Sequence, residues 1–247
     1  MKKIQLATAL LLALCFSLAT QAQVKKAPVK KAPVKKATTL KQPVKKAPVA
    51  PAVISGTRLK ITTDSGVMIV RLYDKTPKHR DNFIKLANAH FFDSLLFHRV
   101  IRDFMIQGGD PESKNAMAGT PLGNGDVGYL IPGEFDTSLY HKKGALAAAR
   151  TNNPEKASSG CQFYIVQGKK YTDAELNMLE MQMGQKFSPV KRKAYKTIGG
   201  TPFLDMNYTV FGEVEKGLEV IDKIATVAGD GSNRPFGDVR MYIEVMK

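Results

Sequence analysis

The chain has 247 residues, with 37 Lys and Arg against 22 Asp and Glu, four His and two Cys. Eleven of the lysines fall in residues 1–55, which hold no Asp or Glu, so removing them from the net charge of +15 leaves +4 for residues 56–247. That mild balance argues against nucleic acid as a partner, a single thiol beyond the leader excludes an internal disulfide, and the lack of CxxC or HExxH patterns argues against a structural zinc site.

Residues 1–22 read as a signal peptide. Lys2 and Lys3 form a positive start, and Ile4 to Leu18 is mostly apolar but short for a bilayer span. Thr20-Gln21-Ala22 then offers a cleavage site that leaves Gln23 first. The expectation is an exported protein, in the periplasm. Lipid attachment at Cys15 ranks second, because Leu14 is large where that signal wants a small residue; secretion is a further alternative. Residues 23–55 read as a disordered linker rich in Lys, Ala, Pro and Val. Val-Lys-Lys-Ala-Pro stands at 24–28, 29–33 and 44–48, where the prolines break any helix and the lysines repel one another. At ~3.1 Å per residue, an extended spacer of about 30 residues reaches on the order of 90 Å. Its charge also suits an anionic envelope surface, the alternative use of this segment.

Residues 56–247 read as one domain. Leu59 to Thr63 alternates apolar and polar, Asp64-Ser65-Gly66 turns, and Val67 to Tyr73 puts Met68, Val70 and Leu72 on one face, a β-hairpin. Thr76-Pro77 opens a helix with threonine as N-cap, and Phe83, Leu86 and Ala87 share its apolar face. Residues 97–110 predict strand, turn and strand. There Arg99 and Gln107 stand among Phe97, Val100, Ile101, Phe104, Met105 and Ile106. The mixture suits an apolar pocket with two fixed polar groups, or a core segment whose arginine reaches water.

The glycines of 117–136 read as turns, and GNGDVG is not a dinucleotide fingerprint. The small residues of 144–149 predict close packing or close ligand approach, and Gln162 to Val166 is a strand. Residues from about 171 to 200 interrupt the β pattern as an inserted helical hairpin. Thr172-Asp173-Ala174-Glu175 is a capping box, Leu176, Leu179 and Met183 follow, and Gly184 stops the helix. Ser188-Pro189 starts a second helix that ends before Gly199-Gly200. Met178, Met181 and Met183 are expected to pack. Val210-Phe211-Gly212 resumes the strands, Gly217 to Val227 is a helix, and Val239, Met241, Ile243 and Val245 alternate as a closing strand. The whole predicts a mainly β fold, a closed antiparallel barrel of around eight strands with two main helices.

FHRVIRDFMIQGGDP at 97–111, GALAAARTNNP at 144–154, SGCQFYIV at 159–166 and VFGEV at 210–214 together resemble the cyclophilin family of peptidyl-prolyl cis-trans isomerases, in its bacterial exported form. The likeness runs from about Thr57 to Met246, apart from the insertion. It implies an eight-stranded antiparallel barrel with a helix at each end and a site on the barrel's outer face. By position it makes Arg99 the catalytic arginine, and Phe104, Met105 and Gln107 the proline-pocket and hydrogen-bonding residues. Ala149, Gln162 and Leu204 match further groove positions. Tyr164 stands where the family usually has phenylalanine, Phe203 where many members carry tryptophan, and Tyr208 where many carry histidine. Arg150 replaces an asparagine whose backbone holds the peptide. The departures at 150, 203 and 208 bear on substrate preference, and the loss of the indole N–H at 203 implies weaker cyclosporin binding.

The implied reaction is rotation about an X–Pro amide, which breaks no bond and needs no nucleophile, metal, cofactor or proton relay. His98 accordingly reads as a satisfied structural histidine and not a general base. Cys161 reads as a buried, inert thiol, and Asp110 and Glu112 do not make an acid/base pair. The implied partners are proline-containing polypeptide clients of a monomeric, exported folding enzyme. Two alternatives stay open: a binding module whose groove grips proline segments, and a tether that works through its lysine-rich tail and helical insertion.

Overall fold

The computed structural model describes residues 56–247; the signal-peptide and linker expectations for 1–22 and 23–55 lie outside the described residues. Among the described residues no helix is long and apolar enough to cross a membrane. The chain opens with the expected hairpin, β1 (Arg58–Thr63) and β2 (Gly66–Leu72), whose alternation buries Leu59, Ile61, Met68, Val70 and Leu72. Helix α1 (Pro77–Asn88) follows, with Phe83, Leu86 and Ala87 buried. Thr76 precedes it but makes no side-chain cap. The Thr76 hydroxyl turns to the Tyr73 carbonyl, and the carboxylate of distant Glu134 accepts from the backbone N–H groups of Lys78 and His79 at 3.1 and 3.0 Å. A negative group there also suits the positive end of the helix.

The remaining strands are β3 (Leu95–Leu96), β4 (Arg99–Ile101), β5 (Met105–Gly108), β6 (Leu130–Ile131), β7 (Ala145–Ala148), β8 (Ser158–Ser159), β9 (Phe163–Val166), β10 (Val210–Lys216) and β11 (Arg240–Val245). Nine of the eleven strands form one curled antiparallel sheet in the order β3-β11-β1-β2-β10-β7-β9-β5-β4, and β6 pairs with β8 apart. This corrects the expected closed barrel of eight strands. The two edge strands, β3 and β4, do not pair with each other. They are the two ends of one short segment, and the chain changes partner between them, from Arg240 at Leu96 to Gln107 at Arg99. The Phe97 and Val100 N–H groups go instead to the carbonyls of Val239 and Asn233, at 2.9 Å each. The sheet therefore curls without a closing ladder.

Side chains alternate across this sheet and divide it into two apolar layers. Ile106, Leu146, Phe163, Ile165 and Phe211 face inward, where α1 and α4 (Leu218–Ala225) cover them with Phe83, Val220 and Ile221. Phe163 meets Phe83 edge-on at 5.2 Å between ring centroids. Met105, Ala147, Ala149, Tyr164, Val166 and Val210 face outward, under Phe104, Leu204 and Tyr208. The alanine run thus serves close packing. A larger residue at 147 would push into the row that Tyr164 and Val210 share with it.

The expected helical hairpin is α2 (Asp173–Met183) and α3 (Pro189–Thr197). Thr172 and Glu175 exchange both bonds of a capping box, and Gly184 ends α2 in the left-handed region at φ 65°. The pair has its own small core of Leu176, Phe187 and Tyr195. Met183 packs against it, but Met178 and Met181 are 56% and 78% exposed, contrary to expectation. Thr172→Ala is expected to destabilise the hairpin by about 1 kcal/mol. Amide hydrogen exchange in α2 would quicken; unchanged exchange would show that the box adds nothing.

Candidate active site

The outward layer leaves a groove of about 310 Å³ on the surface of β4, β5, β7 and β9. Strand register builds its floor: Arg99 pairs with Gln107, Gln107 with Tyr164, and Tyr164 with Ala147. Residues in one such row share a face, so a single register places the cation, the amide and the aromatic side by side. Gly109, just beyond β5, has φ 92° and lies against the Cys161 backbone, a close approach that only glycine permits.

Nine of the expected site residues line this groove: Arg99, Phe104, Met105, Gln107, Ala149, Arg150, Tyr164, Leu204 and Tyr208. Arg99 Nη1 donates to Gln107 Oε1 at 3.1 Å. Its other N–H groups make no hydrogen bond among the described residues, and guanidinium has five. Gln107 Nε2 in turn donates to Gln162 Oε1 at 3.0 Å. Gln162 lines the neighbouring depression and not the groove itself. It is 8% exposed, and its Nε2 donates to the Gly123 and Gly125 carbonyls at 3.0 and 2.8 Å. Phe203 is likewise outside the groove. A 3-10 turn at Pro202–Leu204 carries it to the rim, where its ring stacks on Phe104 at 5.8 Å. Arg150 lies over the Tyr208 ring at 4.7 Å and donates through Nε to the Asn207 carbonyl at 3.0 Å.

Four lining residues were not expected there: His98, Leu122, Gly123 and Asn124. The last three belong to the glycine-rich loop that reads as turns. Asp110 places that loop. Its buried carboxylate accepts from the Glu112 backbone N–H at 2.8 Å and from the Gly123 N–H. The signal in the sequence was Asp110, an acid directly after the mostly apolar stretch 97–109, since such a group demands donors once buried.

His98 is not the satisfied histidine that the sequence suggests. It is 3% exposed, and neither ring nitrogen has a well-formed hydrogen-bond partner. Burial pushes its pKa down to about 4, aided by the positive charges of Arg99 and Arg234 against Asp110 and the Leu96 backbone. It is therefore a neutral wall beside Arg99. Cys161 is 4% exposed, and burial pushes its thiol up to about 11, which makes it a poor nucleophile as expected. The groove thus offers an apolar floor, a chain of amides and two arginines, of which Arg150 is turned onto Tyr208 and Arg99 keeps N–H groups for a ligand. That suits holding and polarising a neutral group better than breaking a bond.

Comparison with known proteins agrees with this geometry. The family model for cyclophilin type peptidyl-prolyl cis-trans isomerases matches residues 58–245. A peptidyl-prolyl cis-trans isomerase of Staphylococcus haemolyticus is 35% identical over 183 residues, 74% of this chain and 87% of that one. Its counterpart in Staphylococcus saprophyticus is 34% identical over 198 residues, 78% of this chain and 95% of that one. A bifunctional phosphatase/peptidyl-prolyl cis-trans isomerase of Streptococcus pyogenes is 38% identical over 189 residues, but the match spans only 37% of that protein. Among solved structures, a cyclophilin type isomerase of Cryptosporidium parvum shares the fold. Its TM-score is 0.57 at 21% identity, over 78% of this chain and 99% of that one.

Proposed function

We propose that this chain, which belongs to the cyclophilin family of peptidyl-prolyl cis-trans isomerases, speeds X–Pro rotation in exported polypeptides as they fold, with Arg99 as the group that favours the twisted amide. Isomerase activity on proline-containing peptides follows from the family. The exported setting and the residue roles are our reading. The observation that carries it is Arg99, held by Gln107 at 3.1 Å over an apolar floor of Phe104, Met105, Tyr164 and Leu204.

Amide resonance sets a barrier of about 18–20 kcal/mol to the rotation. Uncatalysed exchange takes roughly tens to hundreds of seconds. The apolar floor receives the proline ring. In the planar amide the proline nitrogen has no free lone pair; at about 90° of twist it regains one. Arg99 donates to that lone pair only as it appears, so the bond strengthens toward the transition state. Gln107 orients the guanidinium, or the substrate carbonyl, and Gln162 anchors Gln107 to the loop at Gly123–Gly125. Arg150, fixed over Tyr208, and Phe203, at the rim, adjust which sequences flank the proline.

The leader at 1–22 and the lysine-rich linker support an exported enzyme, periplasmic in our reading, with lipid attachment at Cys15 or secretion as alternatives. In that setting the linker spaces a monomeric enzyme from, or draws it to, anionic envelope surfaces, and its clients are unfolded chains and not nucleic acid. NMR exchange on an Ala-Pro peptide tests the activity: the wild-type chain at catalytic concentration accelerates exchange, and an unaltered rate refutes it. Cell fractionation tests the setting. A chain beginning at Gln23 in the periplasm supports export, whereas an uncleaved cytoplasmic chain refutes it.

A further inference from the structure

Tyr164 stands in the groove floor with a hydroxyl that a purely apolar pocket cannot satisfy. The hydroxyl lies 3.0 Å from His141 Nε2. His141 is fully buried, and its Nδ1 lies 3.0 Å from Asp205 Oδ1. Asp205, 2% exposed, accepts three further bonds: from the His141 backbone N–H at 3.0 Å, the Tyr195 hydroxyl at 2.9 Å and Lys191 Nζ at 2.9 Å. Tyr195 and Lys191 both lie on α3, so a continuous buried chain of bonds runs from the inserted hairpin to the groove floor.

The direction of each proton follows from this set. A carboxylate with four donors is an acceptor only, so His141 carries its proton on Nδ1. Asp205 is already balanced by Lys191, and burial keeps the imidazole neutral against the pull of that carboxylate. Nε2 is then bare and accepts a hydrogen bond from the Tyr164 hydroxyl. The hydroxyl is thereby spent inside the protein, and the tyrosine presents only its ring to the groove.

We propose that Lys191 and Tyr195 of the inserted hairpin are positioning residues for catalysis: through Asp205 and His141 they keep the Tyr164 hydroxyl turned out of the pocket that takes the proline ring. This rests on the reading of the groove as the proline site. It also gives the insertion a task at the site. Loss of the Lys191 charge leaves Asp205 with His141 as its remaining source of positive charge. His141 then takes a proton on Nε2, and that N–H displaces the Tyr164 proton toward the groove. The other charged or titratable groups that face this chain are Tyr140, whose ring lies beside Lys191 and Tyr195, Tyr171, whose ring meets Tyr195 edge-on, and Tyr208 and Arg150 on the groove side of Tyr164. None of them supplies a cation to Asp205.

The test is peptide exchange by NMR on an Ala-Pro substrate at pH 8 and pH 6, with KM and kcat separated. Wild type and Lys191→Arg keep one KM at both values. Lys191→Met shows a KM at least about threefold higher at pH 6 than at pH 8, with kcat little changed. Tyr195→Phe, which keeps its packing, shifts in the same direction by less. Nitrogen-15 shifts of His141 in the unaltered chain report the Nδ1–H tautomer. An Nε2–H tautomer, or a wild-type KM profile in folded Lys191→Met and Tyr195→Phe, overturns the proposal. Arg99→Ala measured alongside separates the two levels. If it loses activity while the Lys191→Met profile is flat, only the role of the hairpin falls. If it keeps full activity, the groove reading falls and this inference with it.

Discussion

Arg99→Ala folds normally and loses at least tenfold in kcat/KM on an Ala-Pro peptide, about 1.4 kcal/mol or more. The fold is spared because Arg99 is half-buried on the outer face of β4 and outside the inner core. Its one side-chain hydrogen bond among the described residues, to Gln107, joins two side chains at the groove wall and holds no backbone in place. The activity is not spared, since His98 is neutral and Arg150 is turned onto Tyr208, so neither can take over as donor to the proline nitrogen. Arg99→Lys recovers part of the loss at most. Lysine restores the charge but not the planar fork that holds one N–H on Gln107 and aims another at the substrate. A circular dichroism melt taken beside the exchange assay separates the two effects, and wild-type exchange in the alanine variant would refute the role.

Acid destabilises this protein earlier than its carboxylates alone would dictate. His79, His98 and His141 are all buried, and burial lowers the pKa of each below 6.5. Their partners do not reverse this: Glu134 beside His79 and Asp205 beside His141 raise the pKa, but less than burial lowers it. The unfolded chain therefore binds more protons than the native one once the pH falls below about 6.5. The contribution is complete above that value and declines as pH falls toward the folded pKa. For His98, with a folded pKa of about 4, the loss is about 2 kcal/mol by pH 5 and approaches about 3 kcal/mol near pH 4. Asp205, whose pKa is held below 3.8 by His141 and Lys191 despite its burial, loses its share only at lower pH still. Urea midpoints at pH 7.5 and pH 5 check this. The midpoint should fall, and His98→Leu should shrink the fall; equal midpoints in the unaltered chain would contradict it.

Much of the site was legible because strand pairing fixes it locally. Arg99, Phe104, Met105 and Gln107 lie within one hairpin, and the β5–β9 register carries Tyr164 beside Gln107. What stayed hidden depends on distant donors and acceptors. Leu122, Gly123 and Asn124 join the wall because Asp110 binds the Gly123 N–H, and nothing in GNGDVG announces it. The helix start at Pro77 was legible, but its cap was not, since Glu134 lies 55 residues beyond the His79 N–H it accepts from. His98 was misjudged because solvation of a ring nitrogen is a property of its surroundings and not of its neighbours in sequence. The strand count differs at two places: Phe97 and Val100 give their N–H groups to the 233–239 loop and split one strand into two, and the short β6–β8 pair stands apart from the main sheet. Tyr164 was legible as a stand-in for phenylalanine. The chain of bonds that disposes of its hydroxyl needed His141 and Asp205, 23 residues before it and 41 after it.

Arg99 is held to act on the twisted amide and not on the resting peptide. The most direct measurement is NMR exchange at saturating Ala-Pro peptide, with the peptide Kd taken on the same samples of wild type and Arg99→Ala. The predicted result is exchange within the bound peptide that is at least tenfold slower, with a Kd changed by no more than about twofold, as expected for a bond made only in the transition state. A weakened Kd with undiminished exchange in the bound peptide would contradict it, and would make Arg99 a binding group and not a catalytic one.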